Sequence, residues 1–220
     1  MNYDLINLYR KLKTQKKSFI QFCHYYFEQQ HNTEDNYYEL RELFNTTTDL
    51  ELKAALFLYL NKHGYNGLCR YNSTGGYNVP YGYYKKPYFP KAEMEYFIEK
   101  AKQMRFVHAD FQTTMKKATD EDIVYCDPPY IPLSNTANFT EYAQGGFNFE
   151  QQQVLVQHAK QLAANGSTVI ISNHDTPDTR KLYQSAKLYS FLVPRFISCD
   201  STTRTPAPEL LAIFSNKLNF

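Results

Sequence analysis

Ile123-Val124-Tyr125-Cys126-Asp127-Pro128-Pro129-Tyr130 is the stretch on which the reading of this chain turns. The first four residues are a short run of strand formers, so Asp127 leaves the carboxyl end of a strand, where open α/β sheets place their chemistry. Each proline fixes its own φ, lacks an N–H and restricts the residue before it. The turn is therefore expected to be stiff, with carbonyls free to accept hydrogen bonds and the Tyr130 ring held beside the Asp127 carboxylate. Such a turn suits a planar ring that carries an amine: Asp127 and the Pro128 carbonyl accept from the NH2 while Tyr130 stacks on the face. An adenine flipped out of a duplex is one such ring. The same letters also suit a plain strand-ending turn with a solvated aspartate, and the surrounding segments must decide between the two.

Downstream, residues 131–148 are long and polar and contain Gly145-Gly146. Loops of that length are functional or disordered, and Asn138, Phe139 and Tyr142 are the candidates there for contact with a duplex. A helix follows over 149–164, with Gly166 just past its end, then a strand over 168–172 and a helix over 177–186. Two late apolar runs, 189–196 and 209–214, read as a closing pair of strands. Ser172-Asn173-His174-Asp175 leaves its strand at the same sheet edge as Asp127, which suits either a pocket wall or a turn with a helix cap. Upstream, helix signals span 90–104 and a strand is expected over 105–108. The first part of the chain reads as helices over 4–13, 18–30, 37–44 and 50–63, the last capped by Thr48 or Asp49 and closed by Gly64 at C′. Strand and helix alternating after residue 104 predict an α/β fold with a mostly parallel sheet and a helical insertion.

The texture changes over residues 62–91, which hold five Lys or Arg, seven Tyr, five Gly and no Asp or Glu. We expect a loop and a hairpin turning at Gly75-Gly76. Its lysines suit phosphates, Arg70 has the fork that reads guanine O6 and N7, and tyrosines stack on unpaired bases. A tyrosine-rich hairpin covering the core gives a similar composition, but thirty residues without a carboxylate favour a polyanion. The net charge of the 220-residue chain is only +2, so any nucleic-acid footprint must lie in how charge is distributed. Cys23, Cys69, Cys126 and Cys199 are far apart, with no metal-ligand spacing, and read as reduced thiols of a cytoplasmic protein. No metal site, signal peptide or membrane span is expected.

Several segments carry a family resemblance: Tyr59-Leu60-Asn61-Lys62-His63-Gly64-Tyr65-Asn66-Gly67-Leu68-Cys69-Arg70-Tyr71-Asn72, Asn78-Val79-Pro80, Lys85-Lys86-Pro87-Tyr88, Asp127-Pro128-Pro129-Tyr130 and Ile171-Ser172-Asn173-His174-Asp175-Thr176. Along essentially its whole length the chain resembles the Dam-type, D12-class DNA adenine N6-methyltransferases that act on GATC. The resemblance implies a Rossmann-like domain over 91–220, dependent on S-adenosyl-L-methionine (AdoMet), and a mostly helical target-recognition domain with a β-hairpin over 3–90. It implies that Asp127, with Pro128 and Pro129, holds AdoMet and the adenine amine, and that Tyr130 stacks on the flipped adenine. It assigns Arg70 to a guanine, Leu68 and Pro80 to the vicinity of a thymine methyl, and Tyr65 with Asn66 to bracing the stack. Asn72, Tyr84 and Lys85 fall to phosphates, and Asp110-Phe111 to the AdoMet adenosine. The implied partner is double-stranded DNA with GATC-like sites, bound by a monomer.

One departure matters. Members of the family open with a Lys-containing motif, a strand, a Gly-rich Phe-x-Gly-x-Gly loop and a second strand with a terminal acid, and none of the eight glycines here sits in such a fingerprint. The resemblance therefore implies a sheet without its first strands, with exposed edges and weakened AdoMet affinity. A catalytically incompetent DNA-binding remnant stays open as a second reading. An RNA or protein N-methyltransferase is a third.

Overall fold

A computed structural model describes residues 2–131, 147–194 and 206–217. The chain divides into two compact units, Met1–His108 and Ala109–Phe220.

The first unit is built on helices: α1 (Tyr3–Gln15), α2 (Lys17–Tyr25), α3 (Glu34–Thr46), α4 (Leu50–His63) and α5 (Lys91–Lys100). Their starts follow from side-chain caps. Asn2, Thr33 and Asp49 each accept from orphan N–H groups of the first turn, and of the two caps anticipated for α4 the structure uses Asp49. Helix α4 is the axis of the unit. Ala54 through Leu60 are all buried, so it is apolar around its circumference and not along a stripe, as suits a helix surrounded by others. Gly64 closes it without a left-handed turn, since its φ is −76°. A Cβ there would lie 2.6 Å from the Leu60 carbonyl oxygen and 2.9 Å from the Tyr37 hydroxyl, so glycine is required by close approach.

The expected helix over 18–30 is shorter, ending at Tyr25 before a 3-10 turn at Gln29–His31. The expected strand over 105–108 is irregular chain. One of its carbonyls is taken by a side chain of α1: Arg10 donates to the Phe106 carbonyl from Nε and Nη2 at 3.1 and 3.0 Å, and Phe106 packs on Tyr9 and Phe97. These contacts, with α5, place residues 91–108 in the first compact unit.

His63 is buried at the end of α4, its Nδ1 3.0 Å from the Tyr59 carbonyl and its ring 4.0 Å from the Tyr59 ring. Burial pushes the imidazole pKa down from 6.5 to about 4. The unfolded chain then binds a proton that the folded one refuses, so this contribution to stability is complete above pH 6.5 and is lost as pH falls towards 4. Urea unfolding should lose about 3 kcal/mol across that window. A His63→Gln variant should lose the slope, and an unchanged slope would show that another group carries it.

The second unit contains α6 (Phe111–Met115), β1 (Ile123–Cys126), α7 (Phe149–Ala164), β2 (Thr168–His174), α8 (Pro177–Leu182), β3 (Lys187–Val193) and β4 (Ala207–Phe214). The strand order is β1-β2-β4-β3. Only β1 and β2 run parallel, joined through α7, while β4 lies antiparallel to both β2 and β3. The sheet is thus mixed and not mostly parallel. With β3 and β4 adjacent and antiparallel, the connection between them needs no crossover helix. One face, carrying Val169, Ile171, Leu210, Ala212 and Phe214, is buried in a core that includes Leu155, Val156 and Ala159 of α7. The opposite face of β1 presents Ile123 and Tyr125, which are 74% and 60% exposed. Gly166 turns α7 into β2 with φ of 95°, a conformation that favours glycine. The strand expected over 189–196 ends at Val193, and residues 195 and 196 lie outside the described part, as do Asn138, Phe139, Tyr142, Gly145, Gly146 and Cys199.

Candidate active site

The pairing of Cys126 with Ile171 aligns the carboxyl ends of β1 and β2, so Asp127 and Ser172 come next to one another. Ser172, 3% exposed, donates from Oγ to Asp127 Oδ1 at 2.8 Å. Among the described residues Oδ2 has no hydrogen-bond partner, and Asp127 is exposed. The turn after it is held at three points. Gln152 Nε2 of α7 donates to the Pro129 carbonyl at 2.8 Å, the Ile131 N–H donates to Asn173 Oδ1 at 2.9 Å, and the Ile131 carbonyl lies 2.9 Å from His174 Nδ1. The expectation that the turn carbonyls are free thus needs correction at Pro129. The Pro128 carbonyl has no partner among the described residues, although Pro128 itself is buried.

Tyr130 packs edge-on against His174, with ring centroids 4.9 Å apart at 84°, and its hydroxyl donates to Glu209 at 3.4 Å. Burial pushes its phenol above the usual range, keeping it a neutral donor at physiological pH. Of the two readings of the segment ending β2, the structure shows the helix cap directly. Ser172 and His174 stand beside Asp127 and Tyr130, while Thr176 caps α8 in a reciprocal arrangement with Thr179. Asp175 is held below the usual carboxylate range by Arg180, which grips it at 2.5 and 2.7 Å, and it also accepts from Ser190.

Asp110 is the N-cap of α6, accepting from the Gln112 and Thr113 amides and from the Thr113 hydroxyl at 2.6 Å, and Phe111 packs against Phe147 and His158. Both residues therefore have local structural roles. Among the described residues no cluster of His, Cys, Asp or Glu is arranged to hold a metal ion, and no helix is long and apolar enough to cross a membrane. Cys23, Cys69 and Cys126 are free thiols.

The basic, tyrosine-rich segment belongs to the first unit and lacks the expected continuous hairpin ladder. It has only isolated antiparallel bridges, Gly64 with Tyr81 and Tyr71 with Tyr77. Side chains of α3 occupy its backbone groups: Tyr37 and Arg41 donate to the Val79 carbonyl, and Asn45 takes both the N–H and the carbonyl of Tyr77. The tyrosines differ in exposure, with Tyr71 half-buried. Tyr77 and Tyr81 are buried, while Tyr65, Tyr83, Tyr84 and Tyr88 are exposed.

Leu68 and Pro80 are exposed as well. Arg70 donates from Nε to Asn78 Oδ1 at 2.8 Å and from Nη2 to the Asn78 carbonyl at 3.0 Å, which fixes the plane of its guanidinium. Asn66 is left-handed at φ 52°, and its N–H donates to the Tyr84 hydroxyl at 3.0 Å. Asn72 Oδ1 accepts from Thr74 and Gly76 and so braces the turn. Asn32 anchors the backbone at Tyr84 and Lys85 by donating to both carbonyls.

Sequence reading missed Gln152 and Tyr183. The available signal was a polar residue on the apolar stripe of α7, where Gln152 precedes Leu155, Val156, Ala159, Leu162 and Ala163 at helical spacing.

The sequence pattern of the D12 class N6 adenine-specific DNA methyltransferases matches residues 1–193, and the chain belongs to that family. It is 44% identical over 220 residues to a protein named DNA adenine methylase from Vibrio cholerae serotype O1, a match covering all of this chain and 79% of that relative. The proteins of the same name from Escherichia coli K12 and Salmonella typhimurium LT2 are each 48% identical over 214 residues, covering 97% of this chain and 77% of their own length. The protein is accordingly an enzyme of the adenine-specific DNA methyltransferases.

Proposed function

We propose that this enzyme methylates N6 of an adenine flipped out of duplex DNA at a GATC-like site, with AdoMet as donor. The observation that carries this reading is the strand-end turn. Ser172 occupies one oxygen of Asp127, and the second oxygen and the Pro128 carbonyl have no partner among the described residues. Those two acceptors match the two N–H bonds of one exocyclic amine. Accepting both favours a pyramidal nitrogen whose lone pair is no longer spread into the ring. Tyr130, restrained by His174 and Glu209, supplies the stacking surface.

When bound, AdoMet supplies the methyl group as an electrophile. The acceptor set fits the base side of that reaction, but the described residues include no glycine cradle for the methionine part. Gly64, Gly67, Gly75, Gly76 and Gly82 lie in the basic segment, and Gly166 turns α7 into β2.

Target reading falls to the basic segment within a recognition domain over 3–90, with a Rossmann-like catalytic domain over 91–220. Arg70 reads a guanine, and Leu68 and Pro80 offer apolar contact to a thymine methyl. Tyr65 and Asn66 brace the stack, and Asn72, Tyr84 and Lys85 meet phosphates. Asp110 and Phe111 are assigned to the adenosine of AdoMet. The test is transfer of a labelled methyl group from AdoMet to a GATC duplex, to a scrambled duplex and to RNA. Preferential transfer to the GATC duplex at adenine N6 is the expected result. Equal transfer to scrambled DNA would remove the site assignment, and preference for RNA would remove the substrate.

A further inference from the structure

We infer that Gln152, Asn173 and Tyr183 form a buried positioning unit that sets the Asp127-Pro128-Pro129-Tyr130 turn so that the Pro128 carbonyl, and not that of Pro129, is presented to the substrate amine. This rests on the reaction proposed above. The three side chains are 1%, 0% and 0% exposed. Asn173 Nδ2 donates to the Tyr183 hydroxyl at 2.9 Å and lies 3.5 Å from Gln152 Oε1, to which the Tyr183 hydroxyl donates at 3.3 Å. Gln152 and Asn173 also face the turn or its continuation. Gln152 Nε2 closes the Pro129 carbonyl, while Asn173 Oδ1 accepts the N–H groups of both Ile131 and His174.

A buried amide of this kind costs stability unless its groups are paired, and here they are paired with one another and with the turn. The unit is specific to position for a simple reason. Pro128 and Pro129 have no N–H with which a sheet ladder could hold them, so over these two residues the backbone accepts hydrogen bonds and donates none, and Ile131 offers a donor just beyond the turn. Gln152 grips the Pro129 carbonyl and Asn173 the Ile131 N–H. With Pro129 taken, the next carbonyl towards Asp127 is the one left for a ligand. Tyr183 acts through the others: burial raises its phenol to about 12, so it stays a protonated donor.

The experiment compares Gln152→Glu, which keeps the acceptor of the network but loses the donor to Pro129, with Gln152→Met and Tyr183→Phe. Exchange of the Ile131 amide is followed by NMR, alongside single-turnover methyl transfer, duplex affinity and Tm. Both Gln152 variants should speed Ile131 exchange about tenfold or more. They should slow methyl transfer about ten- to a hundredfold with duplex affinity unchanged, and Tyr183→Phe should do so less. Unchanged Ile131 exchange in the Gln152 variants would overturn the inference, as would faster exchange with an undiminished transfer rate. A fall in rate only in proportion to folded fraction would reduce the unit to a structural one. If the unaltered protein transfers no methyl to DNA, the proposed reaction fails, while Ile131 exchange still decides whether the network holds the turn.

Discussion

Replacing Asp127 by Ala should lower single-turnover methyl transfer by about 10²–10³-fold or more while leaving duplex affinity within about twofold. The carboxylate is the only charged acceptor in the turn, and its two oxygens have separate tasks. Oδ1 takes the Ser172 hydroxyl at 2.8 Å, which fixes the rotation of the group, and Oδ2, without a partner among the described residues, is the proposed acceptor for the amine. Removing the whole group therefore deletes an interaction that strengthens as positive charge develops on the attacking nitrogen, the condition under which a contact accelerates the chemical step. Ser172→Ala leaves the charge but not its aim and should cost less, about tenfold. Affinity should hold because the residues proposed to grip phosphates belong to the other unit, in the segment between Lys62 and Lys91. Rate and affinity falling together in Asp127→Ala would mean that the carboxylate serves binding or folding, and a retained rate would remove it from the reaction.

Arg70→Ala should reduce discrimination between a GATC duplex and one altered at a guanine by about 1–3 kcal/mol. The argument is geometric. Asn78 holds Nε and the Nη2 side of the guanidinium through its side-chain oxygen and its carbonyl, so the fork is oriented before DNA arrives and little side-chain entropy remains to be lost on binding. Lys85 is the informative contrast. Its backbone is tied by Asn32 and its ammonium is a point charge, so Lys85→Ala should weaken every duplex alike and reduce the salt slope by about one. Competition binding at several salt concentrations separates the two. Equal losses on cognate and altered duplexes for Arg70→Ala would make it a phosphate contact.

Much of the molecule was legible before its coordinates. The cap Asp49, the helix over Leu50–His63, the helix over Phe149–Ala164 with Gly166 behind it, and the strand that carries Asp127 all follow from local rules: side-chain caps, 3.6-residue periodicity and proline geometry. The family resemblance read from Asp127-Pro128-Pro129-Tyr130 and from the Lys62–Lys91 stretch is matched by the family assignment, because those residues carry their chemistry in their identity and spacing.

Three things were decided only when distant segments met. Residues 105–108 were expected as a strand and form none; the Phe106 carbonyl that a ladder would use accepts from Arg10. Strand β4 runs antiparallel to both of its neighbours, β2 and β3, a choice of chain direction that apolar patterning does not encode, since a strand buries the same face whichever way it runs. The grip of Gln152, Asn173 and Tyr183 on the turn joins α7, β2 and α8's far end, and no local spacing links them. Sequence by itself determined which side chains are proposed for an amine and a guanine, because identity and local stiffness are properties of neighbouring residues. Which carbonyl is closed, which carboxylate oxygen is occupied and which way the guanidinium lies were settled by tertiary structure, because a hydrogen bond depends on where its second partner is brought from.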